Sequence, residues 1–205
     1  MSRFTTRPEI LGTFGVVAST HWLASAAGMA ILERGGNAFD AAVATGFALQ
    51  VVEPHLNGLG GDVPIILCRG GEDRVRVICG QGTAPAAATL DAYRGLGLDI
   101  VPGTGLLSAV VPGAFDAWML MLRDWGTLPL RDVLEHAIGY ARDGYALVPN
   151  ICNTINHMRD MFADEWTTSA AIWLPGGNVP APGTRFRVPA LADTYERLLA
   201  EAEAA

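Results

Sequence analysis

Residues 35–42 read Gly-Gly-Asn-Ala-Phe-Asp-Ala-Ala, and this stretch decides how the first part of the chain folds. Gly35 suits the left-handed conformation that ends a helix, and Asn37 is a favourable N-cap for the next one. Asp40 follows three residues after Asn37, near the positive end of that second helix. The stretch therefore predicts two helices, about 21–34 and 37–52, joined by a tight turn.

The second helix is apolar on all sides apart from Thr45 and Gln50, which predicts that it is buried between layers. Pro54 ends it. A second glycine cluster, Asn57-Gly-Leu-Gly-Gly-Asp62, precedes two apolar runs at 63–69 and 74–79. The short link between these runs contains Gly70-Gly71, so we expect a β-hairpin.

The remaining pattern is mainly helical. We expect strands at 15–19 and 106–111, a loop at 173–188, and helices that begin near 86 and span about 113–124, 130–143, 149–162 and 191–205. Mixed elements of this kind indicate a layered α/β or α+β arrangement. Because the loops are short, we expect a single partial domain over 1–205 with no internal boundary.

Composition excludes several classes of protein. Of 205 residues, 50% are hydrophobic and 17% are charged, which is typical of a folded chain. The net charge is −7 and the 14 basic residues are scattered, so nucleic acid is not an expected partner. The most apolar stretch, 38–52, is too short to span a bilayer, so we expect no membrane partner. Residues 1–11 show no secretory signal, which predicts a cytoplasmic location.

No metal site or cofactor is expected. Cys68, Cys79 and Cys152 form no Cys-x-x-Cys, and the first two lie in strand-like runs, which predicts buried reduced thiols. The four histidines lack metal-ligand spacing. Asp40 and Asp62 could pair as general acid and base, but helix capping and loop bracing explain them better.

The loop at 58–61 allows two interpretations. Its backbone N–H groups could cradle an anion such as phosphate, which would make the chain an α/β binding protein. It is neither a P-loop nor a Rossmann fingerprint, because no Gly-Lys-Ser/Thr follows and a strand comes next instead of a helix. A structural turn, or one wall of a ligand site, fits the residues as well.

A series of landmarks in fixed order resembles the γ-glutamyltransferase family of N-terminal-nucleophile enzymes. Besides the two glycine clusters, the matching segments are Val17-Ala-Ser19, Val52-Glu-Pro54, Ala84-Pro85, Val111-Pro-Gly113, Trp125-Gly-Thr-Leu-Pro129, Ala141-Arg-Asp-Gly-Tyr145, Pro182-Gly183 and Pro189-Ala-Leu-Ala-Asp-Thr194. The order extends over most of the chain and corresponds to the N-terminal part of the family's large subunit.

The resemblance implies an α+β fold, the αββα sandwich, of which this chain is the large-subunit portion with a helical region after the first strands. It also implies a precursor that cuts itself and exposes a threonine, whose hydroxyl attacks an amide while its own α-amine acts as base. The implied partners are a small-molecule amide or γ-glutamyl substrate and a small subunit, or downstream half, that carries this threonine.

No catalytic residue is assigned within the chain. Thr5-Thr6 and Thr167-Thr168 do not stand before a strand in the family's cleavage context, and an N-terminal tail and a surface helix cap explain them. We therefore expect the isolated chain to be inactive and poorly soluble. A non-catalytic truncated domain is the alternative interpretation.

One substrate-binding position follows from the resemblance. The family has an arginine just ahead of the Ala-Pro pair that binds the donor's α-carboxylate, whereas this chain has Gln81, within Cys79-Gly-Gln-Gly-Thr83. Gln81 and Gly82 are the predicted substrate-binding residues, although a plain turn fits them too. Arg76 or Arg94 could supply the missing charge. Without it, the pocket would favour a non-glutamyl substrate, as in oxamate hydrolases or cephalosporin acylases.

Overall fold

The computed structural model describes residues 9–204, which fall into two compact units. One unit runs through Leu56 and resumes at Gly126, and the other is Asn57–Trp125. These units are groups of residues that contact one another, and the expectation of one domain without an internal boundary stays a prediction.

Helices dominate the described chain, and two small antiparallel sheets accompany them. The helices are α1 (Trp22–Glu33), α2 (Ala38–Val52), α3 (Leu90–Gly95), α4 (Ala114–Trp125), α5 (Leu130–Asp143), α6 (Pro149–His157), α7 (Arg159–Asp164), α8 (Thr167–Trp173) and α9 (Pro189–Ala204). The strands are β1 (Val63–Cys68), β2 (Val75–Gly80), β3 (Tyr145–Ala146) and β4 (Arg185–Phe186), paired β1 with β2 and β3 with β4. The predicted α+β class is confirmed.

Helix α2 forms the centre of the first unit. It packs against α1 and α5, and α5 also packs against α9. Ten of its fifteen residues are buried, which confirms that a helix without a polar face lies in the interior. Its two polar side chains are satisfied there: the Thr45 hydroxyl donates to the Ala41 carbonyl at 2.7 Å, and Gln50 Oε1 accepts from the Tyr195 hydroxyl at 2.8 Å. Thr45 and Gln50, the two polar residues of this otherwise apolar stretch, therefore both have hydrogen-bond partners, as buried polar groups require.

The two ends of α1 differ in how well the sequence predicts them. Gly35 has φ +93°, as expected of the residue that stops a helix. At the other end, His21 is the N-cap and its Nδ1 accepts from the backbone N–H of Leu23 at 3.1 Å. Ser19 and Thr20, which precede it and are favourable N-cap residues, do not cap this helix. The Ser19 hydroxyl donates to the His21 carbonyl, and the Thr20 hydroxyl donates to Glu53.

The β1–β2 hairpin of the second unit has one covered and one exposed face. Cross-strand pairs on the covered face include Ile65 with Ile78 and Val63 with Gly80. The opposite face carries three pairs, Pro64 with Cys79, Ile66 with Val77 and Cys68 with Val75, and all six residues are exposed. The prediction that Cys68 and Cys79 are buried is therefore wrong, because strand alternation puts both on the exposed face. Cys152 is buried, as predicted.

Several expected elements differ from the structure, including the loop expected at 173–188, which contains β4. Residues 15–19 form no strand, since no described segment pairs with them. The apolar run at 106–111 gives a 3₁₀ turn at Leu106–Ser108 instead of a strand, and the helix expected at 149–162 is divided between α6 and α7 at Met158. Thr167 begins α8, but the N-cap is Trp166, without a side-chain cap, so the expected threonine cap is wrong.

Two expectations concern residues outside the described range. Thr5-Thr6 lies there, as does most of the 1–11 segment from which the location was predicted. Within residues 9–204, no helix has the length and apolar character needed to cross a bilayer.

Candidate active site

Four glycines meet where the β1–β2 hairpin ends, and we call this cluster the glycine junction: Gly61, Gly80, Gly82 and Gly113. The Gly61 carbonyl accepts from the backbone N–H of Gly113 at 3.2 Å and of Ala114 at 3.1 Å, at the start of α4. The loop at 58–61 is thus attached to the beginning of a helix, and its Gly61 carbonyl faces the helix's N–H groups.

Close backbone approach is what requires glycine at this junction. A Cβ added to Gly82 would lie 1.4 Å from the Val111 carbonyl oxygen, and one added to Gly113 would lie 2.5 Å from the Gly80 carbonyl oxygen. A Cβ on Gly80 would lie 2.4 Å from the Val63 carbonyl oxygen. None of these glycines has a positive φ, so the requirement is space and not turn geometry.

Gln81 lies between two of these constrained glycines. Its side chain is exposed, and Cys79 Sγ lies 3.7 Å from its Oε1 as a weak donor. The Gly82 backbone packs directly against the Val111 carbonyl, and this contact also constrains the backbone of the neighbouring Gln81. The carboxamide can both donate to and accept from a ligand. Substrate binding by Gln81 and Gly82 stays a prediction.

The two arginines considered as substitutes for the missing charge are placed differently. Arg76 pairs with Leu67 near the turn of the hairpin, and its guanidinium binds Glu72 at 2.5 Å. Arg76 lies five positions before Gln81 along an extended chain, so their Cα atoms are about 16 Å apart. The Arg76 guanidinium lowers the pKa of Glu72 below its usual range, mainly through their hydrogen bond. Arg76 is therefore paired with Glu72, far from Gln81. Arg94 lies exposed in the last turn of α3.

Asp40 has a structural role. Its Oδ2 accepts from the Asn37 N–H at 2.9 Å, and the Asn37 side chain accepts from the N–H groups of Phe39 and Asp40, so a capping box is complete. The same carboxylate accepts from the N–H and hydroxyl of Thr127 and from the N–H of Leu128. It is fully buried, so these bonds occupy it and the capping role is confirmed.

No metal centre is found in the described part of the chain. Residues 9–204 contain no group of three or more histidine, cysteine, aspartate or glutamate side chains placed to hold an ion. His21 and His136 are partly enclosed, and burial lowers the pKa of each.

Comparison with known proteins identifies the family. Residues 24–205 match the family model described as Gamma-glutamyltranspeptidase. The chain belongs to the γ-glutamyltranspeptidase family. Its relatives in this family include glutathione hydrolases and acylases, and the family resemblance deduced from the sequence is confirmed.

Individual relatives cover nearly the whole chain. It is 40% identical to the glutathione hydrolase-like YwrD proenzyme of Bacillus subtilis, covering 94% of this chain and 36% of the relative. It is 42% identical to the acylase ACY 1 proenzyme of a Pseudomonas species, covering 85% and 33%. A solved structure of a threonine-to-alanine form of LmbA2991 is 62% identical with a TM-score of 0.95, covering 98% and 35%. The chain thus spans about a third of the length of these proteins.

The sequence does not predict the glycine junction around Gln81. The sequence predicts that a strand ends at 111 and that a helix begins near 113. Nothing in these residues indicates that they contact Gly80 and Gly82. A signal for the junction is Gly80 at the end of β2, since a glycine in a strand often marks a place where another backbone approaches closely.

Proposed function

We propose that this chain is the N-terminal part of an enzyme that cleaves an amide bond through a threonine acyl-enzyme. In this proposal the threonine is supplied by protein beyond the chain, after a precursor cuts itself. Its hydroxyl attacks the amide carbonyl while its α-amine takes the proton, and the amine half of the substrate leaves. The acyl group then passes to water or to an amine.

Two observations support the proposal. The matched relatives are named proenzymes, and this chain covers about a third of each of them. One similar solved structure is, by its name, a threonine-to-alanine form. Both are expected if the family's chemistry depends on processing and on a threonine outside the matched segment.

The observation that carries the proposal is the exposed Gln81 side chain between Gly80 and Gly82, and we propose that it forms one wall of the substrate pocket. An exposed carboxamide held between two immobile glycines can hydrogen-bond the acyl group reproducibly. Hydrogen bonds to charged groups contribute about 1.5–3 kcal/mol. An arginine at this position would therefore favour a carboxylate-bearing donor by about tenfold or more over Gln81, at 1.4 kcal/mol per decade.

A second candidate function differs only in substrate. Gln81 has no charge and Arg76 is paired with Glu72, which favours a non-glutamyl amide over a γ-glutamyl donor. The exposed Arg94 stays the candidate for a charge that would favour the γ-glutamyl donor. The acylase among the relatives supports the non-glutamyl version. Both candidates share the threonine chemistry and differ in what Gln81 binds.

The exposed face of the β1–β2 hairpin supports a second part of the protein that packs against this chain. Ile66, Val75 and Val77 are 78%, 62% and 68% exposed, and with Pro64, Cys68 and Cys79 they form one continuous apolar surface. A sheet face of this kind is unfavourable in water and is normally covered. We propose that the remaining two thirds of the protein, including the part with the threonine, covers it.

Expression of the complete gene tests the proposal. We expect mass spectrometry to show the precursor converting into two chains, the second of which begins with threonine. Replacement of that threonine by alanine should stop both the conversion and amide turnover. A product that stays whole and still cleaves amides would contradict the proposal. Residues 1–205 alone should turn over neither γ-glutamyl-p-nitroanilide nor simple amides.

Gln81→Arg distinguishes the two substrates. In the processed enzyme we expect this change to raise kcat/KM for γ-glutamyl-p-nitroanilide at least tenfold, because a guanidinium pairs with a carboxylate in a bidentate, charge-assisted way. Gln81→Glu is the matched control, with similar size and opposite charge, and it should lower the same constant. Equal effects of both changes would mean that residue 81 does not contact the carboxylate.

A further inference from the structure

An apolar cavity lies beside the glycine junction within the same unit. The Val111 N–H donates to the Thr83 carbonyl at 3.0 Å and pairs the two segments that leave the junction. Beyond this pair an open cavity of about 190 Å³ lies between them, with Pro85 on one segment and Leu107 and Ala109 on the other. Helix α3 forms its third wall with Ala92, Tyr93 and Leu96.

The lining has no charge to offer a ligand. Every lining residue is apolar apart from Tyr93, and the Tyr93 hydroxyl already donates to the Leu107 carbonyl at 2.6 Å. That bond holds α3 against the 3₁₀ turn, and the hydroxyl's proton is used in it. A glutamyl group, with one ammonium and one carboxylate, would lose its hydration there without gaining partners.

The size of the cavity suits an apolar ring or a short branched chain. An engineered apolar cavity of about 150 Å³ is enough to bind benzene. A cavity of about 190 Å³ therefore accepts a group of this size. Three residues separate Gln81 from Pro85, so the Cα atoms of these two residues are at most about 14 Å apart.

We propose that the cavity receives the apolar part of the substrate's acyl group while Gln81 hydrogen-bonds its polar part. The proposal rests on the proposed function and specifies its substrate class: amides of apolar carboxylic acids, such as aryl-substituted or branched acids. Gln81 and the uncharged lining thus favour the same kind of acyl group.

Substrate selectivity of the processed enzyme tests the proposal. We expect kcat/KM for phenylacetyl-p-nitroanilide to exceed that for the acetyl analogue at least tenfold, since even one methylene in an apolar pocket is worth about tenfold or more. Ala92→Leu fills the cavity and should reduce this ratio at least tenfold, mainly by raising KM for the phenylacetyl substrate. Ala202→Leu, at an exposed position of α9, is the matched control and should leave the ratio unchanged. An unaltered ratio in Ala92→Leu would overturn the proposal.

A binding measurement separates this proposal from the proposed function. If the complete protein cleaves no amide, the proposed function fails, and binding of phenylacetamide can still be followed by ligand-detected NMR. Binding that Ala92→Leu weakens at least tenfold would support the cavity as the site. Binding that is absent, or equal in both proteins, would overturn it. Ala88→Leu, on the opposite wall, serves if Ala92→Leu does not fold.

Discussion

Replacing Asp40 with alanine tests whether one buried carboxylate holds two distant segments together. Oδ1 accepts from the N–H groups of Thr127 and Leu128 at 3.0 and 3.4 Å. Oδ2 accepts from the Asn37 N–H at 2.9 Å and from the Thr127 hydroxyl at 2.7 Å. The alanine variant removes every one of these acceptors and leaves three backbone donors without their partner.

The expected loss of stability follows from those donors. A buried group that loses its partner costs about 1–3 kcal/mol, and the Thr127 hydroxyl can rotate to another acceptor at smaller cost. Water that enters the vacated space will replace part of the lost hydrogen bonding. We therefore expect Asp40→Ala to lower the free energy of unfolding by about 3–5 kcal/mol, less than the full cost of three unpaired donors. Asp40→Asn should cost less, about 2–3 kcal/mol, because one oxygen remains and the Thr127 hydroxyl can accept from the new amide.

Hydrogen exchange measures this effect where it arises. In the complete protein, amides of peptides covering 37–40 and 126–128 should exchange roughly 100- to 4,000-fold faster in Asp40→Ala, since 1.4 kcal/mol corresponds to a factor of ten. Asp116→Ala is the control, because Asp116 is an exposed aspartate in the first turn of α4. If both variants exchanged alike, the carboxylate would not be joining the two segments and the reasoning would be refuted.

Three further substitutions test other parts of the fold. Gly82→Ala should prevent folding of the second unit or remove its protection from proteolysis, because its Cβ would lie 1.4 Å from the Val111 carbonyl oxygen; wild-type resistance would contradict the close approach. Tyr195→Phe should lower the midpoint of urea unfolding by an amount equivalent to about 1–2 kcal/mol, since Gln50 Oε1 loses its buried donor. Burial lowers the pKa of His21, so the folded state binds fewer protons there than the unfolded state. Its contribution to stability should be present above the ordinary histidine pKa of about 6.5 and be lost as pH falls below it, and His21→Asn should flatten this part of a pH–stability curve.

Local signals predicted the elements whose partners are close in sequence. The capping box of α2 needs only Asn37 and Asp40, three residues apart, and the helix it starts ends at Val52 as expected. The same carboxylate's bonds to Thr127 join residues 87 positions apart, and no local pattern encodes them. The sequence therefore predicts the cap at Asn37 and Asp40. It does not predict that Asp40 also binds the segment at 127–128.

The hairpin shows why burial was predicted less well than strand position. Both strands were found within one residue of their observed limits, because runs of apolar and β-branched residues depend on the strand itself. The burial of Cys68 and Cys79 depends on what covers each face, and one face is exposed in the described chain. A strand that is apolar on both faces predicts that both faces are covered. It does not predict whether the residues that cover each face belong to the same part of the protein.

The glycine junction explains why the residue at position 81 can change without affecting the fold. Gly80 and Gly82 have no room for a Cβ, so neither can change without displacing backbone. The side chain between them is exposed and contributes little to packing, so it can be exchanged at small cost in stability. A change such as Gln81→Arg should therefore alter which acyl group is bound while the backbone that presents it stays in place. Two glycines that cannot change and one exposed side chain that can are therefore what the proposed role of Gln81 in specificity requires.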